Sequence, residues 1–330
     1  MHWLQNYWFR ITWLHLILFP VSLLFFILVL WRRLLYRNRI LPSHKLPVPV
    51  IVVGNISVGG TGKTPLTLAV AGKLVDRGWH PLIVSRGYGG LSQMPQQVRA
   101  NGDARQTGDE PLLMARRNLC PVWIGKDRVA AAQSALQANP QCDVVLCDDG
   151  LQHYRLERDV EIAVVDGARG FGNGFMLPAG PLREPLSRLN TVDAVVVNSG
   201  EASTGRYTMR LSGAFFHNLL EPGRTVAASH FYALKNHAVA GIGYPERYFQ
   251  HLRALGIPFT RHVFPDHHFY IERDLIFQDC EAILLTEKDA VKCAEFADSR
   301  YWVLRVEAEI DPTLIDNILR KIASYGRKIA

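Results

Sequence analysis

Apolar residues fill one long stretch near the N-terminus and then recur in short runs along the chain. The first stretch, Ile11–Trp31, is 21 residues long and contains no Asp, Glu, Lys or Arg. As a helix it covers roughly 30 Å, about the thickness of a bilayer's hydrocarbon core. Trp8, Trp13 and Trp31 lie near its ends, and aromatic side chains favour the membrane interface. The pattern predicts an N-terminal membrane helix within residues 1–40.

Two arrangements of this helix in a membrane remain open. It can span the bilayer, with Arg32 and Arg33 on the cytoplasmic side. It can also enter one leaflet and lie partly in the interface, which Pro20 and His15 favour. A cleaved signal peptide is disfavoured because no small-residue cleavage site precedes the arginines. A buried core helix is disfavoured by the length and apolar character of the segment.

Short apolar runs farther along have the character of buried parallel strands. They are Val50–Val53, Leu82–Val84, Val144–Leu146, Ile162–Val165 and Ala194–Val197. Helical stretches separate several of them, for example Pro65–Arg77 and Asp127–Ala138. Alternation of strand and helix predicts an α/β fold with a parallel sheet covered on both faces. We assign this domain to residues 41–206.

A change of pattern after residue 206 predicts a linker and a second domain. Thr208–Leu211 and Ala214–Asn218 predict a β-hairpin linker over residues 207–224. A second α/β pattern then follows over residues 225–330. Its predicted elements are the helix Pro245–Leu255 and the strands His237–Ile242, Thr260–Phe264, Ala282–Thr286 and Tyr301–Val306.

The charge of the chain is concentrated beside the membrane helix. The net charge is +7, and residues 1–45 hold six basic and no acidic side chains. The remaining 31 basic and 30 acidic side chains nearly cancel, so no nucleic-acid partner is expected. The basic segment instead predicts contact with anionic lipid headgroups. Five cysteines without a C-x-x-C pair indicate reduced cytosolic thiols.

The strongest chemical signal is the glycine-rich stretch 54–65, which follows a predicted strand and opens a predicted helix. This is the context that a Walker A phosphate loop requires. Lys63 can reach the β- and γ-phosphates of a nucleotide, and the Thr64 hydroxyl can bind Mg²⁺. Ser57 stands where the strict pattern has glycine, so the first turn is expected to differ slightly. The predicted nucleotide-binding residues are Ser57, Val58, Gly59, Gly60, Thr61, Gly62, Lys63 and Thr64.

An acidic strand end is the second chemical signal. The predicted strand Asp143–Cys147 ends in Asp148-Asp149, which has the form of a Walker B motif that delivers a carboxylate to Mg²⁺. Two adjacent buried acids are unfavourable unless a cation or hydrogen bonds offset them. Which of the two binds the metal stays open, and Asp166, at the end of another strand, is a rival.

Three further charged groups are ambiguous from spacing alone. Thr107 and Glu110 fit a capping box ahead of the helix Leu112–Arg116. Arg183-Glu184 fits an ordinary loop ion pair, and Pro265–His268 fits either a surface turn or a metal-binding pair.

Eight segments together resemble the tetraacyldisaccharide 4'-kinase family, in the same order along nearly the whole chain. They are GNISVGGTGKTP (54–65), SRGYGG (85–90), GDEP (108–111), GKDR (125–128), DDGLQH (148–153), PAGPLREP (178–185), FPDH (264–267) and TEKDAVK (286–292). The resemblance implies ATP- and Mg²⁺-dependent phosphorylation of the 4'-hydroxyl of a tetraacylated glucosamine disaccharide 1-phosphate, in lipid A synthesis. It also implies two α/β domains and the cytosolic face of the bacterial inner membrane.

The resemblance also implies roles for individual residues. Lys63 and Thr64 match the family's phosphate and Mg²⁺ ligands, Asp109 its proposed base, and His267 the partner of that base. The residues around the metal and phosphates are matched by Asp148, Asp149, Arg183 and Glu184.

Two other classes of ATPase are weighed against the kinase. MinD/ParA-type switches share the Gly-Gly-x-Gly-Lys-Thr loop, but they carry a signature lysine where this chain has Val58. Transporter ATPases carry a Leu-Ser-Gly-Gly-Gln signature, which this sequence lacks. GTPases are disfavoured too, because no Asn-Lys-x-Asp motif is present.

Overall fold

Eight α-helices are defined within residues 7–92, 94–200 and 204–323, the parts of the chain that this computed structural model describes. They are α1 Trp13–Arg37, α2 Lys63–Asp76, α3 Ala104–Thr107, α4 Asp109–Arg116, α5 Arg128–Ala138, α6 Pro245–Ala254, α7 Glu287–Cys293 and α8 Pro312–Ile322.

Fifteen strands in the described residues form two sheets. They are β1 Val50–Gly54, β2 Pro81–Ser85, β3 Gln96–Gln97, β4 Val122–Ile124, β5 Val144–Asp148, β6 Val160–Asp166, β7 Ala194–Asn198, β8 Tyr207–Ser212, β9 Phe215–Asn218, β10 Thr225–Ala227, β11 Asn236–Ala240, β12 Thr260–Val263, β13 Ala282–Thr286, β14 Tyr301–Leu304 and β15 Glu307–Ile310.

The first sheet has nine strands in the order β15-β8-β7-β6-β1-β5-β2-β4-β3. The seven from β8 to β4 are parallel, and the two edge strands pair antiparallel. All residues of β1 and β5 are buried, as expected for strands covered by helices on both faces. Val53 pairs with Asp148, so the carboxyl ends of these strands adjoin at the sheet edge. The parallel α/β prediction is confirmed.

The second sheet has six strands in the order β10-β9-β14-β13-β11-β12. Strands β14, β13, β11 and β12 are parallel, and β9 and β10 extend the sheet antiparallel. The predicted strands and helix of the second α/β pattern are all present, within one or two residues at each end.

The linker prediction is wrong in its pairing. β8 pairs with β7 and β15 in the first sheet, whereas β9 pairs with β10 and β14 in the second. The two strands therefore belong to different domains and form no hairpin. The chain crosses between the domains at Gly213, where an added Cβ would collide with the carbonyl oxygen of Arg305 in the return crossing.

The second domain is shorter than predicted because the chain returns to the first. β15 pairs antiparallel with β8, and α8 buries Leu314, Ile315, Ile318 and Ile322 in the core of the nine-stranded sheet. Residues 324–330 of the predicted domain, like residues 1–6 of the predicted anchor, lie outside the described residues.

Helix α1 lies along the first domain with one face packed and the other exposed. Phe25, Phe26 and Val29 pack against the core on that side of the sheet. In mid-helix, the Ser22 hydroxyl donates to the Met176 carbonyl and accepts from the Ala179 N–H, both at 2.9 Å. In the described part of the chain, α1 alone is long and apolar enough to cross a membrane.

We expect Ile318→Ala to lower the free energy of unfolding by about 2–5 kcal/mol, because it opens a cavity in the first core. Arg320→Ala, on the exposed side of α8, is the matched control. Chemical denaturation measures the stability of both variants, and a fluorescent nucleotide bound to the first domain reports when that domain unfolds. Loss of stability confined to the second domain would contradict the placement of α8.

Candidate active site

The glycine-rich loop joins β1 to α2 in the geometry of a phosphate loop. Gly59 and Gly62 adopt φ angles of +112° and +95°, which are accessible to glycine and strained for other residues. The Asn55 amide donates to the Thr61 hydroxyl at 3.2 Å, and the Asn198 amide donates to the Thr61 carbonyl at 3.0 Å. These contacts fix the loop at the N-terminus of α2, where N–H groups and the helix dipole favour anions.

A second segment pairs with the start of this loop. The Val58 N–H donates to the Pro181 carbonyl at 2.8 Å, and the Arg183 N–H donates to the Ile56 carbonyl at 2.7 Å. Ser57 forms an antiparallel bridge with Leu182. The Val58 N–H is thus already bonded to the protein, which favours residues 59–64 of the predicted loop for phosphate binding.

Two cations meet the carboxylate of Asp149. Lys63 Nζ lies 3.5 Å from its Oδ1, and Arg183 Nη1 lies 3.5 Å from its Oδ2. Burial raises the pKa of Asp149, but the charges of Lys63 and Arg183 outweigh it and hold the pKa below its usual range. The structure therefore brings together three of the predicted site residues.

Asp148 has the environment of a metal ligand. Its Oδ1 accepts a hydrogen bond from Thr67 at 3.0 Å, while its buried Oδ2 has no hydrogen-bond partner among the residues that the structure describes. Burial, with the charges of Glu110 and Asp149, raises the pKa of Asp148 to about 7. A cation would offset the unfavourable burial of this carboxylate. Of the two acids, Asp148 is therefore the better placed to bind Mg²⁺.

The donor set fits Mg²⁺ better than a transition metal. Thr64, in the first turn of α2, offers a hydroxyl oxygen and Asp148 a carboxylate oxygen. Mg²⁺ sites in phosphoryl-transfer enzymes commonly use one or two carboxylates together with substrate phosphates. Within the described ranges, no group of three His, Cys, Asp or Glu side chains is placed to hold a metal by itself.

Glu184, predicted to contact the metal, is instead part of a buried polar network. Its carboxylate accepts from Gln152 at 2.7 Å and from the Tyr154 hydroxyl, and it pairs with Arg188 Nε at 3.2 Å. The Gln152 amide also donates to the Asn55 carbonyl at 2.9 Å. These contacts favour a role for Glu184 in holding the phosphate loop. Sequence spacing could not separate this role from metal binding.

The rival carboxylate Asp166 is also engaged by other groups. Its Oδ1 accepts from the N–H groups of Ala168 and Arg169, and its Oδ2 lies 2.7 Å from Arg247 Nη2 of the second domain. Asp166 therefore joins the two domains, and its Oδ2 is already compensated by the charge of Arg247.

Asp109 and His267 meet across the boundary between the domains. His267 Nδ1 lies 3.0 Å from both carboxylate oxygens of Asp109. Because an ionised carboxylate only accepts, the imidazole donates here. Burial raises the pKa of Asp109, but this hydrogen bond and the charges of Lys288 and Lys292 hold it below its usual range. Asp109 is therefore an ionised carboxylate, although it is only 5% exposed.

The capping-box alternative for this segment is wrong. α4 begins at Asp109 itself, and Gly108 precedes it with a φ of +87° and no side-chain cap. The Thr107 hydroxyl donates instead to the Asp103 carbonyl at 3.1 Å. Glycine is required at 108 because an added Cβ would also collide with the Tyr88 carbonyl oxygen.

Two lysines of α7 complete the group around Asp109, and residue-by-residue reasoning missed them. Lys288 and Lys292 each lie 3.9 Å from Asp109 Oδ2, and Lys288 also pairs with Glu110 at 3.0 Å and Asp266 at 3.1 Å. Their i, i+4 spacing places both on one face of a helix, a signal present in the sequence. Which carboxylate they face depends on how the domains dock.

Phosphoryl transfer requires a phosphate loop, a metal-binding carboxylate and a group that accepts the proton of the attacking hydroxyl. This chain gathers a loop of that geometry, the buried Asp148 carboxylate and the Asp109–His267 pair around one edge of a parallel sheet, and His267 comes from the second domain. The arrangement defines the class of P-loop kinases.

Comparison with known proteins specifies the class further. The sequence model of the tetraacyldisaccharide-1-P 4'-kinase family matches residues 14–323. The chain is 48% identical to tetraacyldisaccharide 4'-kinase of Methylobacillus flagellatus over 99% of this chain and 97% of that one. It is 49% identical to the Azoarcus sp. protein of that name over 94% and 93%, respectively.

A solved structure supports the same assignment. A crystal structure of LpxK from Aquifex aeolicus in complex with ATP superposes with a TM-score of 0.80 and 30% sequence identity, over 94% of this chain and 99% of that one. The chain belongs to the tetraacyldisaccharide-1-P 4'-kinase family. The predicted family, kinase activity and use of ATP are confirmed.

We expect Glu184→Ala to lower the free energy of unfolding by about 3 kcal/mol, because it leaves buried polar partners unpaired. The Mg²⁺ dependence of nucleotide binding should stay unchanged, whereas Asp148→Asn should weaken it. Denaturation and Mg²⁺ titration with a fluorescent nucleotide measure the two effects. A Glu184 variant of full stability and weakened Mg²⁺ response would restore the predicted metal role.

Proposed function

We propose that this chain transfers the γ-phosphoryl group of ATP to the 4'-hydroxyl of a tetraacylated glucosamine disaccharide 1-phosphate, at the cytosolic face of the bacterial inner membrane. The observation that carries the proposal is the Asp109–His267 contact beside the phosphate loop, 3.0 Å long. An ATPase that only switches partners activates water, and it needs no base completed by a second domain.

Asp109 is the general base of this reaction. It accepts the proton of the 4'-hydroxyl while the sugar oxygen bonds to the γ-phosphorus and the bond from that phosphorus to the β–γ bridging oxygen breaks. His267 positions the carboxylate, and the lysines keep it ionised at neutral pH. Lys63 and Arg183 balance charge on the phosphates. Mg²⁺, held by Thr64 and Asp148, would neutralise charge on the β- and γ-phosphate oxygens.

The contacts of α1 support an arrangement in one leaflet over a spanning one. Before the helix, the Trp8 indole donates to the Pro178 carbonyl at 3.0 Å. In the middle of α1, the Ser22 hydroxyl donates to the Met176 carbonyl. Near the end of α1, Arg33 Nη2 donates to Thr191 Oγ1 at 2.7 Å. A helix bound to the catalytic domain at all three levels cannot cross the bilayer while that domain stays in the cytosol. Its exposed apolar face would enter the lipid instead.

We expect Asp109→Asn to lower kcat by roughly 10²–10⁴ with little change in nucleotide affinity, because the amide cannot accept the proton. Transfer of labelled phosphate from ATP to an acylated disaccharide phosphate measures kcat, and a fluorescent nucleotide measures binding. Asp103→Asn, on an exposed cap, is the matched control. Full turnover by Asp109→Asn would contradict the base assignment.

An epitope tag ahead of Met1 tests the membrane arrangement. In sealed inverted inner-membrane vesicles, protease should remove it, because both ends of a one-leaflet helix face the cytosol. A tag after Ala330 is the control, since it faces the cytosol in either arrangement. Protection of the N-terminal tag in these vesicles, with cleavage in spheroplasts, would establish a spanning helix.

A further inference from the structure

Arg169 lies against the phosphate loop, and no sequence motif drew attention to it. It follows β6, which is hydrogen-bonded to the phosphate-loop strand β1, so the loop after β6 runs beside the glycines. A Cβ added to Gly59 would lie 3.1 Å from Arg169 Nη1 and 3.7 Å from Nη2. The guanidinium therefore occupies the space that any side chain at position 59 would need.

Among the residues that the structure describes, the Arg169 guanidinium makes neither a hydrogen bond nor an ion pair of its own, although the charge of Asp166 acts on it. The nearby Asp166 carboxylate is engaged by Arg247 at 2.7 Å. Arg183, by contrast, is paired with Asp149. Burial lowers the pKa of the Arg169 guanidinium, as expected for a charge held where water is partly excluded.

Two aromatic rings hold the guanidinium in place. Its central carbon lies 5.1 Å from the centroid of Phe9, just ahead of the membrane helix, and 5.2 Å from that of Tyr244, in the second domain. Next to Tyr244, Gly243 covers the loop, and a Cβ added there would lie 3.1 Å from the Gly60 nitrogen. The second domain, docked onto the phosphate loop, thus supplies one of the two rings that orient Arg169.

The position of Gly59 indicates which anion this cation would meet. In a phosphate loop, the residues just before the Gly-Lys-Thr sequence surround the β- and γ-phosphates with their backbone. An arginine held beside this part of the loop lies close to where negative charge develops on the phosphoryl group during its transfer. We propose that Arg169 is an arginine finger supplied in cis, which contacts the transferring γ-phosphoryl group.

This inference rests on the proposed kinase function. As the bond from the γ-phosphorus to the β–γ bridging oxygen breaks, ADP takes that electron pair, the 4'-oxygen bonds to phosphorus and Asp109 takes the proton. Arg169 donates hydrogen bonds to the equatorial oxygens throughout and transfers no proton, because its guanidinium stays charged.

Kinetics of the full-length protein in phospholipid–detergent micelles tests the proposal. Arg169→Ala should lower kcat on the order of 10³-fold, with the KM for ATP little changed. Arg224→Ala is the matched control, because that guanidinium also lies over an aromatic ring, 5.1 Å from the centroid of Trp302, in the second domain. It should retain the wild-type rate.

Binding and rescue supply readouts that a purely structural role would not move. Wild-type protein should bind ADP with aluminium fluoride, a mimic of the transferring group, more tightly than ADP alone. Arg169→Ala should lose this difference while its ADP affinity stays. Added guanidinium ion should restore part of its turnover. Arg169→Lys keeps the charge and stem, and should fold normally with kcat still lowered at least about tenfold.

Three results would overturn the proposal. The first is a kcat for Arg169→Ala within about threefold of wild type. The second is a raised KM of Arg169→Ala for the lipid at unchanged kcat. The third is an Arg169→Ala variant that loses thermal stability and is not rescued by guanidinium, together with a fully active Arg169→Lys variant. Failure of the wild-type protein itself to transfer phosphate to the lipid would instead contradict the proposed function.

Discussion

The hydrogen bond between Asp109 and His267 is the interaction on which the rest of the site depends. Asp109 is buried at the start of α4, where an ionised carboxylate is unfavourable unless other groups compensate. Among the described residues, the first domain supplies one hydrogen bond, from the Glu110 N–H at 2.9 Å, and no cation within ion-pair distance. His267, Lys288 and Lys292 all come from the second domain and approach the same carboxylate. In the proposed mechanism, Asp109 is therefore a usable base only when the two domains are docked, which would tie catalytic competence to domain closure.

The chain connectivity restrains this docking. Two adjacent crossings, near Gly213 and Arg305, join the domains, and β15 and α8 return the C-terminal segment to the first sheet. The Asp166–Arg247 ion pair adds a contact beside the phosphate loop. Because the second domain is inserted between two elements of the first, its possible motions are those of a hinge, which suits a cleft that must admit nucleotide and lipid.

The sequence predicted the features that depend on one short segment, and it did not predict those that depend on pairing between distant segments. The strands Val50–Val53 and Val144–Leu146 and the phosphate loop carry local signals, and each was found where predicted. The prediction of a hairpin is wrong because Thr208–Leu211 and Ala214–Asn218 are adjacent in sequence but pair with strands of different sheets. The return of β15 was missed for the same reason, since its partner β8 lies about a hundred residues earlier.

The site shows the same division between local and long-range information. Lys63 and the strand end Asp148-Asp149 follow from motif and context, whereas Asp109 and His267 came only from family resemblance. The contacts of Glu184, Lys288 and Arg169 could not be predicted, because each depends on how distant segments pack.

A double-mutant cycle on Asp109 and His267 tests the central claim most directly. We predict strong non-additivity: once Asp109 is replaced by Asn, replacing His267 by Gln should lower kcat/KM little further, because the group that His267 positions is gone. Independent, multiplicative losses from the two substitutions would contradict the account, since the two residues would then act separately.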